Sequence, residues 1–131
     1  MLKFDVEKTV QYWLAGAEYD MDVAVALYEK EKFPYSLFMG HLAVEKLLKA
    51  LVVKTTREQA PYTHSLALLA GMLPIEFPSE TIDKLARFME FHFEARYPEE
   101  QHKFYEKCTY EFSKGKLQEI KEVFVWLKEK L

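Results

Sequence analysis

At 131 residues the chain is long enough to bury a core of its own, and half of it is hydrophobic, which excludes a disordered segment. A formal charge of -3 gives no overall attraction to nucleic acid, so a phosphate-bearing partner would have to be met by a local basic patch. The single cysteine, Cys108, excludes an internal disulfide framework and points to a reducing cytoplasm.

Cys108 itself reads as a small buried hydrophobe. The start, Met1-Leu2-Lys3-Phe4-Asp5, lacks the apolar core of a signal peptide, and no run approaches the roughly 18 apolar residues of a membrane span. A cytoplasmic protein without membrane contact is therefore expected. The chain has no Asn and many Glu and Lys, a composition of heat-adapted proteins that points to a thermophilic source.

In chain order, Val6, Val10, Trp13, Leu14, Ala17, Met21, Ala24 and Tyr28 recur at three- and four-residue steps and predict a long first helix. Residues 30–34 form a short break, and Pro34 suits the first turn of a second helix that runs to Val53. So short a link makes the two helices antiparallel. Residues 54–61 read as a loop, Thr63 as the cap of a short third helix to about Met72, and Ser79 as the cap of a fourth. In that fourth helix Ile82, Leu85, Met89, His92 and Phe93 share a face that Arg96 continues, and Pro98 ends it. Residues 99–112 read as an irregular crossover, and Leu117, Ile120, Phe124, Leu127 and Leu131 mark a last amphipathic helix, whose alternating Lys and Glu read as a solvated face. No strand alternation is found. The fold class is all-α: an up-and-down bundle of four to five helices with a long antiparallel first helix pair, one domain over 1–131.

The second helix carries the main chemical clue. At about 100° per residue, Leu37, Phe38, Leu42, Leu48, Leu51 and Val52 fall on one broad apolar arc. His41 and Glu45 lie inside that arc and Lys49 at its edge. A carboxylate among leucines has to be answered by a polar partner. The bland reading is a His41–Glu45 hydrogen bond or a Glu45–Lys49 pair at the rim. The functional reading is a polar pocket that also involves Lys46 and His64.

Three pieces of the chain form a recognisable set: Ala-Val-Glu-Lys-Leu-Leu-Lys-Ala-Leu at 43–51, Thr-His-Ser-Leu at 63–66 and Glu-Ala-Arg-Tyr-Pro at 94–98. In this order, across nearly the whole chain, they resemble the HEPN domain family of small all-helical proteins. The resemblance implies that Glu45, Lys46, Lys49 and His64 occupy positions typical of the family, and that a small nucleotidyltransferase is a partner in a toxin–antitoxin-like pair. HEPN ribonucleases carry an Arg followed, after four to six residues, by a His, and two subunits build a composite site. There the Arg binds phosphate and the His moves a proton at the ribose 2′-hydroxyl or the leaving oxygen, with no metal.

Arg57 with His64, Arg87 with His92 and Arg96 with His102 all meet that spacing, so the pattern singles out no catalyst. Arg96 and His102 are favoured as the catalytic pair because Arg96 belongs to the family-like Arg-Tyr-Pro, although Tyr97-Pro98 stands where ribonucleases carry a small polar residue. The bland alternatives are an Arg96 paired with Glu45 or Glu94, a His102 on the open surface, and a His92 satisfied in the core or an interface.

Only Glu99-x-x-His102 has the spacing of a di-iron ligand pair, so no metal and no cofactor are expected. Phe88, Phe91, Phe93, Tyr97, Phe104, Tyr105, Tyr110 and Phe112 crowd the fourth helix and the segment after it. A helix with Phe91 opposite Met89 and Phe93 is apolar on several sides, which predicts a homodimer through this region, with extra core as the alternative. The leading expectation is a nucleotide- or RNA-binding component of a nucleotidyltransferase-associated pair, using Glu45, Lys46, Lys49, His64 and Arg96 and not DNA. The alternatives are a metal-independent endoribonuclease with Arg96 and His102 across the dimer, and a structural partner without catalysis.

Overall fold

The structure is a computed structural model that describes residues 3–131. Met1 and Leu2, part of the stretch read as lacking a signal peptide, lie outside the described residues. Helix α1 (Val6–Glu29) starts at Asp5, whose carboxylate accepts the Lys8 N–H at 3.1 Å. Glu31, at φ 60, turns the chain in the left-handed region, and α2 (Phe33–Thr56) follows with Pro34 in its first turn. The two helices run antiparallel: Ser36 Oγ donates to Ala24 O at 2.7 Å near the turn, while Lys49 lies over Trp13 at the far end.

Helix α2 outlasts the expected stop at Val53. Lys54, Thr55 and Thr56 stay helical, and the end is made by Arg57, left-handed at φ 64, whose N–H bonds Val53 O at 2.9 Å. A non-glycine residue in that conformation gives no stop signal that sequence reading would recognise. Helix α3 (Leu66–Gly71) is capped by Ser65, which accepts the Leu68 N–H, rather than by Thr63; the Thr63 hydroxyl accepts the Ser65 N–H instead. Helix α4 (Ser79–Phe88) is capped by Pro78, with Ser79 its first residue and not its cap.

The larger correction lies after α4. The expected single helix to Arg96 stops at Phe88 and gives way to two short 3-10 turns, Met89–Phe91 and Phe93–Ala95, broken at His92. The tighter winding lets both Phe91 and Phe93 turn inward, where Phe88 stacks on Phe91 and Phe93 on Phe104. Of the aromatic excess, Phe88, Phe91, Phe93 and Phe104 are thus internal core, while Tyr97, Tyr105 and Tyr110 stay exposed. Residues 99–112, expected to be irregular, form α5 (Pro98–Lys107) and the start of α6 (Tyr110–Lys128), the latter capped by Thr109. Proline at a first turn followed by Glu99 and Glu100 is a helix start, not only a stop for what precedes it.

Six helices therefore stand where four to five were expected, and the all-α class holds, with no strand among the described residues. Helix α2 is the centre: Leu37, Ala43, Val44, Leu47, Leu48, Leu51 and Val52 are fully or almost fully buried on several of its sides. Helix α1 packs on one side and α6 on another, the latter through Leu117, Ile120 and Phe124. Gly40 allows α6 this close, because a Cβ there would stand 3.1 Å from Ile120 Cδ1. Four polar side chains of α2, Ser36, His41, Glu45 and Lys49, are consequently buried.

Candidate functional site

Glu45 is 4% exposed and Lys49 7%, so the expected buried acid is real and its partner is buried with it. Lys49 Nζ lies 3.2 Å from Glu45 Oε2 and 5.2 Å from the centre of the Trp13 ring. Of the bland alternatives the Glu45–Lys49 pair is the one present, and it is buried rather than at the rim, with α1 covering it through Trp13. The second partner of Glu45 is His64, from the link before α3, whose Nδ1 is 3.1 Å from Oε1 and 3.3 Å from Oε2. A carboxylate only accepts, so His64 Nδ1 carries the proton and donates it to Glu45. His64 Nε2 makes no hydrogen bond to the described residues, and the side chain is 56% exposed.

His41 does not meet Glu45, although the two stand one turn apart. Its Nδ1 donates to Phe38 O at 2.5 Å, and its Nε2 lies 3.0 Å from His92 Nδ1. Burial pushes His41 down to about 4; the Phe38 carbonyl opposes this, and the nearby His92 and His64 rings add to it. The fixed donation to Phe38 makes His41 Nε2 an acceptor, so His92 donates through its own Nδ1. His92 then keeps Nε2 free of any hydrogen bond to the described residues, and its ring stacks on His64 at 5.0 Å and 28°. Two parallel imidazoles, each tied to α2 through Nδ1 and each with Nε2 uncommitted, result from one link and one break between 3-10 turns.

Lys46 does not join this cluster. Its Nζ lies 2.9 Å from Asp20 on α1, and Gly16 leaves room for the side chain to pass. Asp20 is itself buried, and the contact is ionic without good hydrogen-bond alignment. Sequence reading missed it, yet the signal was present: Asp20 lies three residues after Ala17 and four before Ala24, inside the apolar stripe of α1 as Glu45 lies inside that of α2.

Arg96 does not join it either. It pairs with Glu100 at 3.5 Å, not with Glu45 or Glu94. His102 pairs with Glu106 at 3.3 Å and is 76% exposed. The two share no hydrogen bond or ion pair, and they line separate depressions. Arg57 pairs with Glu7. Cys108 is buried, and burial pushes its thiol up to about 11, which leaves it no nucleophile. No group of three or more His, Cys, Asp or Glu side chains among the described residues is arranged to hold a metal ion. None of the described helices is long and apolar enough to cross a membrane.

An all-helical chain with a buried acid on its second helix, answered by a Lys one turn later and by the His of a Thr-His-Ser-Leu link, defines a class. The chain belongs to the HEPN family, whose domain model matches residues 10–130. Two solved structures share the fold. TT1696 from Thermus thermophilus superposes with a TM-score of 0.77 at 20% identity, over 93% of this chain and 98% of that one. ST0689, an archaeal HEPN homologue, superposes with a TM-score of 0.73 at 17% identity, over 92% of this chain and 96% of its own. A search of curated proteins finds no match.

Proposed function

We propose that this HEPN protein binds a phosphate-bearing ligand, a nucleotide or an RNA, at the face where His64 meets Glu45. The carrying observation is the pair of stacked imidazoles, His64 and His92, with both Nδ1 atoms committed to α2 and both Nε2 atoms free. Glu45 and Lys49 hold His64 from behind, as a second layer that fixes the ring rather than touching the ligand. Lys46 and Arg96 lie outside this cluster. In this reading the chain works as a single domain and a homodimer, beside a nucleotidyltransferase partner, which co-purification of the two proteins tests.

The ligand reading is tested by thermal unfolding with and without nucleotides and short RNA. Binding to the folded state alone raises the melting temperature with ligand concentration. His64→Ala should abolish that rise while leaving the unliganded protein folded, because His64 is half outside. No rise with any nucleotide or RNA refutes the reading.

A second reading, endoribonuclease, draws on the same two rings. His92 Nε2 would take the proton of a ribose 2′-hydroxyl as that oxygen bonds to phosphorus. His64, carrying a second proton on Nε2, would give it to the departing 5′ oxygen, leaving a 2′,3′-cyclic phosphate. RNA cleavage that persists in chelator, vanishes in His64→Ala and His92→Ala and survives in His102→Ala supports it; loss in His102→Ala alone returns the chemistry to the Arg96–His102 expectation.

A further inference from the structure

An open groove of about 590 Å³ runs between the end of α4 and the face of α5, away from the Glu45 cluster. Four of its lining residues are cations, Arg87, Arg96, Lys103 and Lys107, against two carboxylates, Glu90 and Glu100. Each carboxylate is already answered: Lys107 lies 2.7 Å from Glu90, and Arg96 lies 3.5 Å from Glu100. Arg87 and Lys103 have no acidic partner among the described residues. Two uncompensated cations lining one groove, in a chain whose formal charge is -3, form a local basic patch of the kind a phosphate-bearing partner needs.

The groove is a trough rather than an enclosed cavity, which suits a chain passing along it better than a small molecule that needs most of its surface covered. At its Arg96 end stands Tyr97, 80% exposed. Tyr97 lines a second shallow depression with Pro98, Glu99 and Glu100, and Glu100 also lines the groove, so the aromatic ring adjoins the trough beside two carboxylates. Cations spaced along a trough, with an exposed ring at one end, are what a backbone of phosphates and an unstacked base require together. An acidic peptide would use the cations but has no need of the ring.

We infer that the α4–α5 groove is a binding track for single-stranded RNA, with phosphates on Arg87 and Lys103 and a base stacked on Tyr97. The inference rests on the ligand reading above and selects RNA over free nucleotide. The same stretch of chain supplies Met89 and Glu90 to the groove and His92 to the imidazole stack.

The test is fluorescence anisotropy of a labelled oligouridylate on the full chain. Arg87→Ala/Lys103→Ala should weaken binding at least about tenfold and flatten the log–log salt dependence by about 1.4, the value for two phosphates on a single strand. Tyr97→Ala should weaken it by about tenfold with the salt slope unchanged. Lys114→Ala, on α6, should leave binding as it was, and circular dichroism should report the native fold for each variant, since all four side chains are exposed. Equal affinity for the double variant and the wild type overturns the inference, as does equal affinity for polyglutamate, or no oligouridylate binding at all. These failures stay separate from failure of the ligand reading. A nucleotide-dependent rise in melting temperature that His64→Ala removes can persist when the groove binds nothing.

Discussion

Glu45 and Glu100 each pair with a basic side chain four residues away, yet their surroundings differ. The Glu45–Lys49 pair spans 3.2 Å with both side chains under a tenth exposed. The Glu100–Arg96 pair spans 3.5 Å with both about half in water. When one member of the outer pair is lost, the other rehydrates at little cost. When one member of the inner pair is lost, a charge remains among leucines with too few partners. The comparison teaches that spacing finds a pair but burial decides what it does. The inner pair is a structural support for His64; the outer one is a solvated contact at the surface.

The comparison breaks most easily at Lys49. Lys49→Ala leaves Glu45 with His64 alone and should destabilise the fold by about 3–5 kcal/mol in urea unfolding. Replacing both partners, as Glu45→Leu with Lys49→Met, should recover most of that loss, because the expensive state is the unpaired charge and not the absence of the pair. A loss below about 1 kcal/mol in Lys49→Ala would make the inner pair energetically equal to the outer one.

The same division separates the features legible in the sequence from those that were not. Glu45 betrayed itself because a carboxylate interrupts a leucine arc, and the antiparallel α1–α2 pair followed from period and a short link. Asp20 carries an equivalent signal, weaker because its neighbours on the stripe are alanines. The partner of His41 was not legible: one turn from Glu45, it chose Phe38 O and His92, because its depth in the bundle favours a neutral ring held by neutral groups. The break at His92 was hidden because Leu85, Met89 and His92 keep helical spacing, and only tertiary packing of Phe91 and Phe93 rewards a 3-10 turn. Arg96 and His102 satisfied a spacing rule that carries no information about which way either side chain faces.

Buried His41 gives the inner region a pH signature. Burial lowers His41 from its ordinary 6.5 to about 4, so between those values the unfolded chain binds the proton that the folded chain refuses. Stability from this group is therefore complete above about pH 6.5 and declines as pH falls toward 4, by up to roughly 3 kcal/mol. Urea unfolding across that range should show the slope, and His41→Leu should flatten it. An unchanged slope in His41→Leu would assign the acid sensitivity to other groups.

Glycines sharpen the same contrast between inner and outer surfaces. Gly40→Ala sets a methyl 3.1–3.2 Å from two Ile120 side-chain atoms and should cost about 2 kcal/mol, since α6 has to move. Gly115→Ala, in α6 with nothing within 4 Å of the new methyl, should raise stability by about 0.5–1 kcal/mol through helix propensity alone. Melting temperatures that fall in both would mean that α6 is packed on its outer side as well.

The smallest expected effect is the most direct reading of the opening comparison. A double-mutant cycle of Arg96→Ala and Glu100→Ala should return a coupling of no more than about 0.5 kcal/mol, falling further in added salt. The matching cycle on Glu45 and Lys49 should return well over about 1 kcal/mol and respond weakly to salt, because bulk ions do not reach a pair enclosed by Trp13 and the leucines of α2. Couplings of similar size in the two cycles would mean that water reaches Glu45 in solution. His64 would then be held no more firmly than any surface histidine.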